Sequence, residues 1–171
     1  MLELLKKRRS IRKFTEETVS PENIDRLLKA GLLSPTGMGK REVEFIVIQN
    51  REMLAKLKTL KSHGTTPLET ATLAIVVIAD MQKSDTWVED ASIASSMIQM
   101  EAVELGLGST WIQIRLREGA EGPSEEAFHK YLGIPANYGV LNIIAIGHGN
   151  EVKKSYTDQD ADFSKVHNES F

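Results

Sequence analysis

Hydrophobic positions along this chain come in two patterns, spaced clusters and unbroken runs. In the first pattern, Ile24, Leu27, Leu28 and Leu32 recur at helical spacing behind Ser20-Pro21-Glu22. Ser20 suits an N-cap, Pro21 the first helical position and Glu22 the first turn, so a helix is predicted here, stopping near Leu33 because Pro35 disfavours helical backbone in the residue before it. Asn50 likewise caps a predicted helix bearing Leu54, Leu57 and Leu60, and Leu2, Leu4 and Leu5 allow a short helix at the start. The runs at residues 45–48, 73–79 and 140–146 read as strands, and the lack of alternation over 73–79 predicts a strand covered on both faces. The longest predicted helix spans about residues 86–105. Its small residues Ala91, Ser92, Ala94, Ser95 and Ser96 let another helix or a second subunit approach closely. Gly106-Leu107-Gly108-Ser109 ends it and leads into a strand over Thr110, Trp111, Ile112 and Gln113. Ser124 is predicted to cap a short helix ending near Leu132, with Gly133 and Pro135 breaking the chain before the last strand. Residues 148–171 are polar and poorly periodic, a tail that is either packed across a partner or partly disordered.

A chain of 171 residues with 41% hydrophobic content suits one compact domain over residues 1–171. The net charge of -3 opposes a general nucleic-acid binder, which needs a broad positive surface. Without cysteine there is no disulfide, thiolate nucleophile or Cys-based zinc site. No apolar run is long enough to span a bilayer and residues 1–20 contain no apolar signal core, so a cytoplasmic location is the default expectation.

Charge becomes informative where it is local. Lys6-Lys7-Arg8-Arg9-Ser10-Ile11-Arg12-Lys13-Phe14 packs six cations and a hydroxyl into nine residues, against a single acid, Glu3, in the first fourteen. Guanidinium groups grip phosphate oxygens as two-pronged donors and a serine hydroxyl can add a further bond, so the run is a candidate anion clamp; the alternatives are a solvated basic face and a nucleic-acid arm. Ser34-Pro35-Thr36-Gly37-Met38-Gly39-Lys40 is a loop by composition, either a second anion-binding surface or an ordinary turn. His63, His129, His148 and His167 lack metal-ligand spacing. Asp158, Asp160 and Asp162 imitate a calcium loop but place Phe163 where glycine is required, so no metal site is assigned. No nucleophile elbow, P-loop or dinucleotide fingerprint is present, and no catalytic side chain is assigned; a cofactor would carry the chemistry.

Taken together, Arg8-Arg9-Ser10-Ile11-Arg12-Lys13-Phe14, Ser34-Pro35-Thr36-Gly37, Gly106-Leu107-Gly108-Ser109-Thr110-Trp111-Ile112 and Ile134-Pro135 with the final strand to Gly147 resemble the nitroreductase family of FMN-dependent oxidoreductases, in the same order over nearly the whole chain. The resemblance implies an α+β fold, a central and mainly antiparallel sheet flanked by helices, in an intertwined homodimer with FMN at the subunit interface. It implies that Arg8, Ser10 and Arg12 are flavin ligands, Arg8 on phosphate and Arg12 near ring atoms N1 and O2, with Arg9 beside them. Pro35, Thr36 and Gly37 resemble a loop contributed by the other subunit. Thr110, Trp111, Ile112 and Gln113 resemble the strand against the ring, whose backbone amide can bond N5, and Lys153 and Lys154 stand where late phosphate-binding cations occur.

The chain departs from the family pattern in several places. Gly39 stands where many relatives have Asn, Arg41-Glu42-Val43 replaces a common Gln-Pro-Trp, Gln113 replaces a usual glycine, and the chain is short, without long insertions between Ile78 and the central helix. The activity implied is ping-pong transfer of hydride from NADH or NADPH through flavin N5 to an organic acceptor such as a nitroaromatic or quinone. A flavin or nucleotide storage protein without turnover is the alternative.

Overall fold

The computed structural model describes all of residues 1–171. In chain order the elements are α1 (Leu2–Lys7), α2 (Pro21–Leu32), β1 (Val43–Ile48), α3 (Arg51–Thr59), β2 (Leu73–Asp80), α4 (Trp87–Glu104), β3 (Gly108–Gln113), α5 (Ser124–Leu132) and β4 (Tyr138–Gly147), joined by loops and short 3-10 turns. The four strands form one sheet in the order β1-β2-β4-β3, and every strand pairing is antiparallel. The expected α+β class holds. The one parallel contact is an isolated bridge between Ser10 and Ser109 at the β3 edge.

β2 shows why its sequence lacks alternation. Side chains of a strand point alternately to the two faces of its sheet. Leu73, Ile75, Val77 and Ala79 enter a core beneath α2 and α4, while Ala74, Val76 and Ile78 enter the opposite core beneath α3 and α5. All of β2 is buried, as is nearly all of β4, so both central strands are apolar apart from Asp80 and Asn142.

The Ser20 and Asn50 caps form as expected, accepting from the N–H groups of Asn23 and Met53. Two local expectations fail. Pro123, rather than Ser124, occupies the N-cap of α5, and the Ser124 hydroxyl is buried without a hydrogen-bond partner. Glu125 uses its carboxylate to accept from the N–H groups of Leu116 and Val140. On α2, Leu32 is exposed, and Gly31 is buried one position earlier because α2 crosses close to Phe45 and Ile98. On α4, Ala91, Ala94 and Ser95 are buried, and α2 packs closely on this helix as the small residues allow; Ser96 and Ile93 are exposed and Ser92 is half-buried.

The tail from residue 148 has two parts. Its start is stitched to the segment after α1, with Thr15 N–H donating to His148 O and Asn150 N–H to Lys13 O. Residues 152–171 are exposed throughout, and their aspartates cap short turns: Asp160 accepts from Thr157 and Asp162 from Ser164.

Candidate functional site

The basic run leaves α1 at Arg8, whose extended backbone carries the chain off the helix and along the edge of the sheet. Ile11 N–H donates to Ser109 O at 3.0 Å, and Phe14 is buried against the end of β4. Gly108 makes the approach of Ile11 workable: a Cβ there would lie 2.8 Å from Ile11 Cγ2. Arg8, Arg9, Ser10 and Arg12 thereby come to line one open cleft of roughly 310 Å³, together with Lys153 and Tyr156 from the tail. Four of its six lining residues are cations and none is an acid.

The cations are not equivalent. Arg8 makes no side-chain hydrogen bond or ion pair within the chain, and Arg12 makes only a long contact from Nη1 to Ser10 O at 3.4 Å. Arg9 instead donates to Lys154 O and stacks over the Tyr156 ring, 4.3 Å from its centroid. Lys154 therefore meets the clamp through its backbone, while Lys153 lines the cleft through its side chain. Glu151 props the rim: its carboxylate accepts from Arg12 N–H at 2.5 Å and pairs with Lys153 at 2.9 Å, and these contacts hold it below the usual glutamate range.

β3 extends from this cleft as an edge strand, paired only with β4 beyond Ser109. In an antiparallel ladder alternate residues turn their backbone groups to opposite sides. Ser109 O faces the clamp, so the N–H and C=O groups of Trp111 and Gln113 face the same open edge, while Thr110 and Ile112 pair toward β4. Gln113 accepts from Trp111 Nε1 at 2.8 Å and donates to Arg115 O at 3.1 Å. A glycine could not supply that brace.

Pro35, Thr36 and Gly37 lie elsewhere. Thr36 Oγ1 accepts from Arg41 N–H, and Gly37 N–H donates to both carboxylate oxygens of Asp90 in the first turns of α4. A Cβ on Gly37 would stand 2.5 Å from Thr86 Oγ1. This loop feeds β1 at one edge of the sheet, whereas the clamp joins β3 at the other edge and opposite end, beyond the far end of α4. By helix rise, the 18 residues of α4 hold the two corners apart by on the order of 25 Å.

Beside the loop, Glu42 is fully buried and neither carboxylate oxygen has a hydrogen-bond donor in proper geometry. It faces Asp90, which is 4% exposed. Burial and then Asp90 push the Glu42 carboxyl up, whereas for Asp90 burial is outweighed by hydrogen bonds from Glu42, Gly37 N–H and Thr86, so that its carboxyl sits low. Sequence reasoning passed over Glu42, Asp90, Glu151 and Tyr156. Only Glu42 left a trace, as part of the Arg41-Glu42-Val43 departure.

Comparison with known proteins identifies the family. The family model described as "Nitroreductase family" matches residues 5–76 and 65–148. An Archaeoglobus fulgidus protein provisionally named NADH dehydrogenase/NAD(P)H nitroreductase is 36% identical over 163 residues, covering 93% of this chain and 91% of its own. A Methanothermobacter thermautotrophicus protein with the same provisional name is 35% identical, covering 88% and 78%. The short length noted above is shared with the Archaeoglobus fulgidus protein. Among solved structures, an FMN-dependent nitroreductase of Clostridium difficile R20291 superposes with a TM-score of 0.97 at 47% identity, covering all of both chains. The chain belongs to the nitroreductase family.

Proposed function

We propose that this chain is an NAD(P)H-dependent FMN oxidoreductase that works as a homodimer, with each flavin site built from the clamp of one subunit and the Pro35–Gly37 loop of the other. The observation that carries this reading is a cation-rich, acid-free cleft opening beside the free edge of β3. A phosphate matches the former and a flat ring with hydrogen-bonding edges matches the latter. The names of the relatives support the same assignment, being NAD(P)H nitroreductases and an FMN-dependent nitroreductase.

When bound, FMN supplies the chemistry, taking hydride from NADH or NADPH and passing reducing equivalents to an organic acceptor, a nitroaromatic, quinone or similar molecule, in a ping-pong cycle. The residues of the chain supply position and charge. Arg8 and Lys153 would hold phosphate, Ser10 would add a hydroxyl donor, and Arg9, steadied by Tyr156, closes the wall of the cleft. Arg12 would hold positive charge beside the ring, where it would favour the reduced, negatively charged flavin. The outward N–H of Gln113 would be free to bond the ring edge, and the brace through Trp111 keeps the strand edge fixed.

Dimerisation is supported by what a single copy leaves uncovered. No residue of α1 is buried, and Leu2, Leu5, Phe163, Val166 and Phe171 are exposed, apolar side chains that a second copy would cover. The roughly 25 Å between clamp and loop also exceeds what one mononucleotide spans, so a shared site calls for two copies. No helix is long and apolar enough to cross a membrane.

The test is the visible absorbance of natively purified protein, followed by anaerobic addition of NADH and then NADPH. Yellow protein that bleaches supports the reading and identifies the donor. Yellow protein that stays oxidised with both favours a flavin carrier, and colourless protein that refuses added FMN overturns the site.

A further inference from the structure

The buried pair Glu42 and Asp90 has no part in binding the phosphate, yet it holds the backbone of the loop assigned above to the flavin site. Asp90 is fully supplied as an anion, accepting from Gly37 N–H at 3.0 Å and from Thr86 Oγ1 at 3.1 Å. Glu42 is the opposite case, with no donor properly aligned to either oxygen and no exposure to water. No cation compensates either group. Lys40 reaches Asp85 at 3.9 Å, Lys83 reaches Asp80 at 3.8 Å, and Arg41 carries no ion pair to the site. The remaining groups nearby are the Ser84 and Thr86 hydroxyls, which bond each other at 3.0 Å, and Asp80, whose carboxylate accepts from Gln82 and Asn137 while its N–H bonds Glu42 O.

Two buried carboxylates in contact without a cation cannot both be ionised at acceptable cost; one must keep its proton. The supply of donors decides which. We infer that Glu42 is a carboxylic acid in the folded protein, donating its proton to Asp90, and that this shared proton is the latch that holds Gly37 and the Thr36–Lys40 turn in position for the flavin. Glu42 and Asp90 are positioning residues on this account, acting through Gly37. The latch rests on the proposed role of the loop at the flavin site. It is also particular to this chain's departure from the family pattern, since Glu42 falls where Gln-Pro-Trp is common.

The sign of the pH effect follows from linkage. Glu42, raised in the fold, contributes stability that fades as pH rises from its ordinary value through its folded one; Asp90, lowered, contributes stability that fades only as pH falls through its own low value. The singly protonated pair is favoured between the two. Above that window the latch loses its proton to water and leaves two carboxylates facing one another.

Infrared difference spectra of the full-length protein against E42Q test the proton directly. At mildly acidic pH the wild type should show the carbonyl band of a buried carboxylic acid that E42Q lacks, and the band should vanish at alkaline pH. FMN affinity, measured in parallel by fluorescence, should fall in the wild type by at most about tenfold per pH unit above that titration, and should stay flat in E42Q, whose amide donates to Asp90 at every pH. Absence of the band at all pH values in the wild type alone overturns the shared proton, whatever the variant does. So does stability that depends on the kind of added alkali or alkaline-earth salt, which would mean that a cation bridges the pair. A titrating band with FMN affinity equally flat in both proteins upholds the proton and overturns the loop's place at the flavin.

Discussion

The clamp and the loop occupy opposite corners of one sheet, and they use charge in opposite ways. At the clamp, Arg8, Arg12 and Lys153 are gathered without an acid among the lining residues, and Arg8 has no partner within the chain. At the loop, Glu42 and Asp90 are sealed from water and directed at each other and at the backbone. Desolvated groups must satisfy one another, whereas solvated cations can wait for a ligand. The open corner therefore suits an anionic ligand, and the closed corner holds shape. Two short polar stretches separated by some twenty residues can be told apart only once their burial is known.

The largest expected effect breaks the open corner. An Arg8→Ala, Arg12→Ala double change removes two charge-assisted contacts and should weaken FMN binding by at least about a hundredfold in a fluorescence titration, with urea stability almost unchanged. Equal affinity would show that the clamp is only a basic surface. At the closed corner the balance should reverse. Asp90→Ala deprives Gly37 N–H, Thr86 and Glu42 of their shared acceptor, and a loss of about 3 kcal/mol in urea denaturation is expected. Gly108→Val probes what brings the clamp to β3: because its Cβ meets Ile11, FMN affinity should drop roughly tenfold while stability changes less. The smallest effect lies outside both corners. Ser124→Ala removes a buried hydroxyl without a partner and should raise stability by about 1 kcal/mol; destabilisation would mean that this hydroxyl is satisfied after all.

The elements were legible because they rest on local signals. Hydrophobic spacing behind Ser20 and Asn50, and the unbroken run of β2, carry their own capping and burial logic. Ser124 misled because a serine before an apolar helix looks the same whether it caps or sits one position inside; Pro123, with its extended backbone, takes the cap position. The basic run and the Gly-rich loop stood out by composition, but not the distance between them, which depends on the strand order β1-β2-β4-β3. Glu42 was illegible for a sharper reason. A lone glutamate between Arg41 and Val43 reads as the polar start of a strand, and only the packing of α4 across that corner buries it against Asp90.

Subunit complementation tests most directly whether the two corners meet across a dimer. R8A/R12A subunits and Gly37→Val subunits, each expected to lose FMN alone, would be co-expressed with different tags and the mixed dimer isolated. Its FMN content would then be measured by absorbance. The mixed dimer combines the intact loop of one chain with the intact clamp of the other, so the account predicts about one FMN per dimer, bleached by the same donor as the wild type. A mixed dimer as empty as its parents would contradict it, placing clamp and loop of a single chain at the same site, and Gly37→Val subunits that keep FMN on their own would remove the loop from the site.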